Sequence, residues 1–411
     1  MLQFGTGVLL RALCAASVDA ANRAGVFNGR IVVVQSTPQG RARAMNEQDG
    51  LFTLVERGLS NGEPVERTRL IGSISRALVA DGEWDAVREV AARPELQVIV
   101  SNVTESGFRL EAGFPARLTD VLRARFERLP DGPTLFVIPT ELVPDNGPRL
   151  AAMVDEVARE GPRSDEFRAW RSARVRFCSS LVDRITPGAP PTDQRAALEA
   201  GLGYADALLT VTEPYSFWAI ETDPPALRTA FPIDLSPESV VFAPDIGFYQ
   251  ERKLRLLNAT HTALAPLALL AGIRTVREAV AHPRLGAFLR RMLLDEIVPA
   301  VAIPLEAAAE FARSVVERFG NPWLDHEWRV IATDQEAKMR IRVVPLIVAF
   351  AKRRAHAPET LALACAAHLA LLRLPVESLA EASRLPDFSD ATTRWMRVLE
   401  REGVEAALAH D

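Results

Sequence analysis

The sequence predicts an α/β fold, with a Rossmann-type, mostly parallel sheet in the N-terminal part and a mostly α-helical C-terminal part. Three observations predict it. Short, continuous β-branched runs alternate with helical segments through the first half of the chain, the pattern of strands covered on both faces. Gly5-Thr6-Gly7 stands between the first apolar run and the first helix-periodic stretch. Beyond about Asp234 the strand signals give way to long stretches of helical spacing.

Taken in order, Met1–Phe4 reads as a first strand and Leu9 to Ala24 as an apolar-periodic helix. Arg30–Gln35, built on Ile31-Val32-Val33-Val34, reads as a buried second strand. Leu96–Ser101, Thr134–Ile138 and Val175–Ser179 supply three more. Pro-rich punctuation at 187–191 and 224–225 precedes the change of pattern. The later helices are expected at Leu254–Leu270, Arg274–Val280, Leu285–Val298, Leu305–Arg318 and Thr360–Leu372. With 411 residues the chain has room for two domains, drawn here as 1–236 and 237–411.

A formal charge of −5 gives no basic footprint of the kind a nucleic-acid binder needs. Apolar runs such as 343–351 fall far short of the ~20 residues of a membrane span. Cys14, Cys178 and Cys365 are too few and too far apart for a disulfide framework or a thiolate zinc site. Arg11 interrupts the one early apolar stretch, so no secretion signal is expected. The expectation is a cytoplasmic enzyme with a small-molecule substrate and no nucleic-acid or membrane partner, its oligomeric state open. One bias is more pointed. Of the 48 basic residues only Lys253, Lys338 and Lys352 are lysines, so a lysine that survives is a candidate for what arginine cannot do, namely release a proton near neutral pH.

The turn Phe4-Gly5-Thr6-Gly7 suits a dinucleotide, because glycine lets the backbone approach a pyrophosphate held at the helix N-terminus. Leu10 occupies the third glycine position of the usual fingerprint. After the second strand, Gln35-Ser36-Thr37 stands where an acidic residue would take the ribose hydroxyl, with Arg41 and Arg43 beyond; these residues leave the choice of NAD or NADP open. Asn102 and Thr104, in Ser101–Gly107, place small polar groups at a strand's carboxyl edge, where ligands of open α/β sheets bind. Lys253-x4-Asn258-x2-His261 is the strongest chemical signal. On an α-helix His261 lies about 80° and Asn258 about 140° from Lys253, one broad face among leucines. Burial would draw the lysine toward a general base, while Asn and His hold a substrate oxygen. The same three residues would also serve as a surface lysine, a cap and a core histidine.

Lys253-x4-Asn258-x2-His261 resembles the catalytic signature of the polyol-specific long-chain dehydrogenases/reductases, the mannitol dehydrogenase family. Val175–Pro187, with Val182-Asp183-Arg184-Ile185, is similar to that family's second diagnostic stretch. The likeness runs on through Asn46–Leu51, Ser101–Gly107, Glu141-Leu142, Asn146-Gly147 and Arg318–Pro322. Within the family, Phe177-Cys178-Ser179 and Glu251-Arg252-Lys253 look like the tagaturonate reductase branch, whereas Thr140, Ala259, Val8 and Asp334-Gln335 depart from it. The resemblance implies a metal-independent hydride transfer with NAD, D-altronate and D-tagaturonate being interconverted. It implies Lys253 as base, Asn258 and His261 as oxygen holders, Glu105 as proton relay, and Ser179, His326, Lys338 and Arg340 at the substrate. Cations in the 338–342 segment suit a carboxylate better than a neutral polyol. A mannitol 2-dehydrogenase or fructuronate reductase activity is the alternative within the family, and a catalytically silent nucleotide-binding protein the alternative outside it.

Overall fold

The computed structural model describes residues 1–103, 107–110, 113–354 and 356–410. Two compact units divide the chain: Met1–Arg57 with Glu66–Ile246, and Gly58–Val65 with Gly247–Asp411.

The first unit is built on strands β1 (Leu2–Phe4), β2 (Ile31–Gln35), β3 (Phe52–Ser60), β4 (Glu63–Ile71), β5 (Ile74–Val79), β6 (Val98–Ser101), β7 (Leu135–Pro139), β8 (Val175–Phe177), β9 (Ser180–Asp183), β10 (Thr210–Thr212), β11 (Phe217–Glu221) and β12 (Val240–Ala243). Six of them form a wholly parallel sheet in the order β5-β2-β1-β6-β7-β8, the doubly wound order of a dinucleotide fold. Its residues alternate between two cores. Ile31, Val33, Val98 and Val100 enter one cluster, and Val32, Val34 and Ile99 the other. Continuous apolar runs are what such a sheet requires. The helical run at 8–23, here α1, follows β1, and helices α2 (Ala80–Ala91), α3 (Phe114–Arg128) and α4 (Asn146–Val157) follow β5, β6 and β7.

Two three-stranded sheets, β10-β3-β4 and β12-β11-β9, were not expected from the sequence. β4 is polar and largely exposed along its length, so no apolar run marks it. They also bear on the domain border, drawn after residue 236. β12 lies beyond that point yet pairs in parallel with β11, and the first unit continues to Ile246.

The second unit is helical apart from the 58–65 tip of the β3–β4 hairpin. Its main elements are α5 (247–270), α6 (Leu305–Phe319), α7 (335–353), α8 (Glu359–Leu372) and α9 (Pro386–His410). α5 contains a π-wound segment, Lys253–Asn258, and α7 another, Met339–Val343. The apolar alanine- and leucine-rich α8 is buried over most of its length.

Candidate active site

In the first unit the polar features gather where β1 and β6 diverge, the topological switch point at the carboxyl edge of the sheet. Gly5 N–H bonds to Val34 O and Asn102 N–H to Phe4 O, so the ends of β1, β2 and β6 are tied together. Gly5 has φ +119°, and a Cβ there would sit 2.8 Å from the Asn102 carbonyl oxygen. Only glycine fits. At Gly7 a Cβ would meet nothing within 4 Å, which leaves the helix start open to an approaching group. Leu10, in the third fingerprint position, is buried beneath Gly5. Phe4 itself is fully buried, its ring 5.0 Å from that of Phe114, so it offers a ligand only its backbone.

Arg11 was missed by the sequence reading. Its buried guanidinium donates to Thr6 O at 2.7 Å and to Thr210 Oγ1 at 3.1 Å, fixing the glycine turn from below. Burial and the charge of Arg41 lower its pKa to about 10. Gln35 folds back on its own loop, Oε1 accepting from Ala42 N–H and Nε2 donating to Thr37 O. The Ser36 hydroxyl is buried and meets no partner among the described residues. Asn102 Nδ2 donates to Thr140 Oγ1 at 3.0 Å, and the buried Glu141 carboxylate accepts from Val103 N–H and Ser101 Oγ. Desolvation raises the Glu141 pKa. Thr104 and Glu105 lie outside the described residues.

In the second unit the winding of α5 decides the geometry. Ala259 N–H reaches back five residues to Leu254 O. A π turn acts as one inserted residue and rotates the rest of the helix by about 100°. Lys253, Asn258 and His261 therefore fall within about 60° of one another, not the about 140° of an unbroken α-helix. Lys253 and Asn258 are half-buried and His261 is buried.

His261 stacks on Phe319, centroids 3.9 Å apart, and meets the rings of His326 at 5.2 Å and Trp328 at 6.0 Å edge-on. Its Nε2 is buried without a partner among the described residues, as is Nδ1 of His326. Desolvation first, then the charges of His326, Arg318 and Arg342, hold the His261 pKa well below the usual range, so the ring is neutral at physiological pH. Desolvation also lowers that of His326.

One turn further on, Pro266 deprives the Thr262 carbonyl of its helical donor, and Gln335 Nε2 takes that carbonyl at 2.7 Å. Arg342 Nη1 donates to Thr262 Oγ1 at 3.2 Å, so Arg342 faces α5. Arg340 does not: it is exposed and pairs with Glu336 at 2.8 Å. Lys338 Nζ donates to Ile331 O at 3.0 Å. No spacing rule tells Arg340 from Arg342 on a π-wound segment.

Comparison with known proteins divides the chain into the same two halves. The mannitol dehydrogenase Rossmann domain matches residues 1–230, and the mannitol dehydrogenase C-terminal domain matches residues 245–411. The chain belongs to the mannitol dehydrogenase family. Among its relatives, the altronate oxidoreductase of Bacillus subtilis (strain 168) is 35% identical over 88% of this chain and 77% of its own length. That of Klebsiella pneumoniae (strain 342) is 36% identical over 98% and 86%. In fold the chain is similar to Pseudomonas fluorescens mannitol 2-dehydrogenase, solved with NAD and D-mannitol (TM-score 0.75, 24% identity, 100% of this chain and 93% of that one). A substrate-free D-sorbitol dehydrogenase superposes with TM-score 0.82 at 22% identity, covering 99% and 94%. As a mannitol dehydrogenase family member the chain is an oxidoreductase acting on CH–OH groups.

Several stretches shared with the family turn out to be scaffold. Arg184 is buried, donating to Ala12 O and Glu213 O and pairing with Glu56. Asn146 Nδ2 donates to Pro139 O, Glu141 O and Ser180 O, while its Oδ1 accepts from Ser180 N–H. A Cβ at Gly147 would come within 2.5 Å of Ser179 N, so the 178–180 strand link packs directly on that glycine. Ser179 is itself buried, between β8 and β9. Arg318–Pro322 delivers Phe319 to the His261 ring.

Proposed function

We propose that the chain interconverts D-altronate and D-tagaturonate with NAD as the hydride partner. The observation that carries the mechanism is the stripe of Lys253, Asn258 and His261 produced by the π turn of α5. The substrate class rests on the altronate oxidoreductases, 35–38% identical over most of the chain.

The first unit's residues fit a dinucleotide: a glycine that nothing else can replace at the switch point, an open helix start at Gly7, and a buried, unpartnered Ser36 hydroxyl. Gly5, Gly7, Ser36 and Asn102 would hold it, with Phe4 and Gln35 shaping the two strand ends. Bound NAD supplies the hydride acceptor for the carbinol carbon. In the oxidation direction Lys253 Nζ takes the proton of the hydroxyl, and in reduction it returns that proton to the ketone oxygen. The Asn258 amide and the neutral His261 ring donate to the same oxygen. Neutrality suits the histidine: an imidazole donor polarises a carbonyl without giving up its proton. Phe319 fixes the ring plane by stacking, and His326 closes the ring's edge toward the substrate. For the carboxylate, Arg342 takes precedence over Arg340 because it faces α5 rather than solvent, while Lys338 steadies the start of α7 through Ile331 O.

The test is oxidation of NADH against tagaturonate, fructuronate, fructose and fructose 6-phosphate. A strong preference for tagaturonate is expected, with Arg342→Gln raising its KM roughly 10- to 100-fold, the equivalent of about 1.5–3 kcal/mol for a charged hydrogen bond. Equal turnover of fructose would overturn the carboxylate assignment.

A further inference from the structure

The carboxyl end of β2 combines three features. It carries no acidic residue: none occurs between Arg30 and Asn46. The carboxylate that would accept both hydroxyls of an unmodified adenosine ribose, and repel a phosphate on it, is therefore missing. Gln35, the residue in its vicinity with the right reach, has both ends of its amide engaged within the loop.

Cations take the place of the acid. Arg117, from α3, brings its guanidinium to the strand end, Nη1 donating to Ser36 O at 2.6 Å with the Trp84 ring 6.0 Å from its Cζ. Arg41, exposed at the start of the next helix, is close enough for its charge to act on Arg11 under the glycine turn. Neither Arg41 nor Arg117 makes an ion pair among the described residues. Arg43 is different: it is spent on Glu47 and points to solvent. On neighbouring α2 and α3, Glu83 is engaged with Val79 N–H, Asp120 with Trp84 Nε1 and Arg88, and Glu127 with Arg88. On the residue whose carbonyl Arg117 holds, the Ser36 hydroxyl is buried, a donor with no acceptor among the described residues.

We infer that this end of the nucleotide site accepts and favours a phosphate on the adenosine ribose, so that NADP(H) enters it more readily than NAD(H), with Arg41, Arg117 and Ser36 as the phosphate's partners. Two arginines without an ion pair among the described residues and a hydroxyl donor at one strand end match a dianionic phosphate, which takes charge-assisted bonds from guanidinium groups. The inference rests on the dinucleotide reading of the first unit and is independent of the sugar.

Binding of two fragments to the full chain tests it without turnover. Isothermal titration with 2′,5′-ADP and with 5′-AMP separates the 2′-phosphate from the rest of the nucleotide. The expected result is at least tenfold tighter binding of 2′,5′-ADP, an advantage that shrinks as salt is raised. Arg41→Gln, at an exposed position, should cut that advantage several-fold, and Arg117→Lys should do the same through loss of the planar fork. Equal or weaker binding of 2′,5′-ADP overturns the inference while leaving the dinucleotide site standing. An advantage unmoved by both substitutions overturns the assignment of the arginines. Binding of neither fragment overturns the inference and the dinucleotide reading together.

Discussion

Replacing Arg184 by methionine probes the deepest polar contact in the first unit. The Arg184 side chain is 0% exposed and that of Glu56 8%, so the pair is screened by protein, not water. Arg184 also satisfies the carbonyls of Ala12 and Glu213. Without it, Glu56 keeps, among the described residues, only Arg69, whose side chain is 28% exposed. Breaking a buried pair by removing one partner costs about 3–5 kcal/mol, and a carbonyl left without a donor costs about 1–3 kcal/mol more. These costs overlap, and about 4 kcal/mol is the expected net loss. At roughly 2–4 °C per kcal/mol for a domain of this size, the thermal midpoint should fall by roughly 8–16 °C. Removing both charges is a different perturbation: Arg184→Met with Glu56→Leu leaves no orphaned carboxylate and should recover a good part of the loss. Scanning calorimetry of the wild type, both single variants and the double variant reads this directly. A midpoint within about 2 °C of wild type for Arg184→Met, or a double variant no better than the single, would refute the view that this family stretch is held by a buried charge.

Lys253→Met should lower kcat by roughly 10²- to 10⁴-fold, the range for a lost general base, with NADH binding by fluorescence titration intact; a variant with more than a tenth of wild-type turnover would sink the base assignment. Gly5→Ala forces a φ of +119° on an L side chain and drives its Cβ toward the Asn102 carbonyl, so nucleotide binding should be lost with about 1–3 kcal/mol of stability, whereas Gly7→Ala, with open space at its Cβ, should cost binding alone. His261, His326 and His368 all have folded-state pKa values below the unfolded value of about 6.5, that of His368 about 4, chiefly through burial. The unfolded chain thus binds more protons in acid, their contribution to stability is complete above pH about 6.5 and is lost progressively below it, and the midpoint should drop between pH 7 and pH 5 less in His368→Leu than in wild type. Arg255 Nη1 donates to the carbonyls of Ile341 and Arg342, and Arg255→Leu should raise the KM for the carboxylate substrate with little effect on the KM for a neutral polyol.

How far the sequence could be read depended on what each feature needs. The six-stranded sheet needs apolar runs, and Val32-Val33-Val34 or Val98-Ile99-Val100 display them openly. The β3–β4 hairpin needs only a partner strand, and Glu63–Ile71 is polar enough to read as loop. Lysine scarcity pointed to Lys253 and Lys338 alike; the structure gives the first a place on the stripe and the second a backbone carbonyl, a distinction of orientation that composition does not carry. Asp334 adopts φ +53°, a left-handed position that glycine occupies more easily. Gln335 comes next and caps the carbonyl freed by Pro266, a link between two residues 69 positions apart for which neither local sequence gives a sign.

The π turns have no residue signature, and they decide more of the site than any motif does. Each one wastes a helical hydrogen-bond register, so its persistence asks for a reason in what it orients. On α5 the turn at Lys253–Asn258 draws three separated residues into one stripe. On α7 the turn at Met339–Val343 lies beside Arg342, and the Arg255 guanidinium, itself held by Glu251, takes two of its carbonyls. At the start of α1 the turn at Arg11–Ala15 carries the arginine that braces the glycine loop and the Ala12 carbonyl that receives Arg184. In these three an arginine from the π segment or aimed at it supplies hydrogen bonds there, whereas a fourth π-wound segment, Met292–Ile297, contains no arginine. In this chain the placement of these residues therefore depends on irregular helix geometry that arginines secure, so its surplus of arginine serves that architecture as well as the surface.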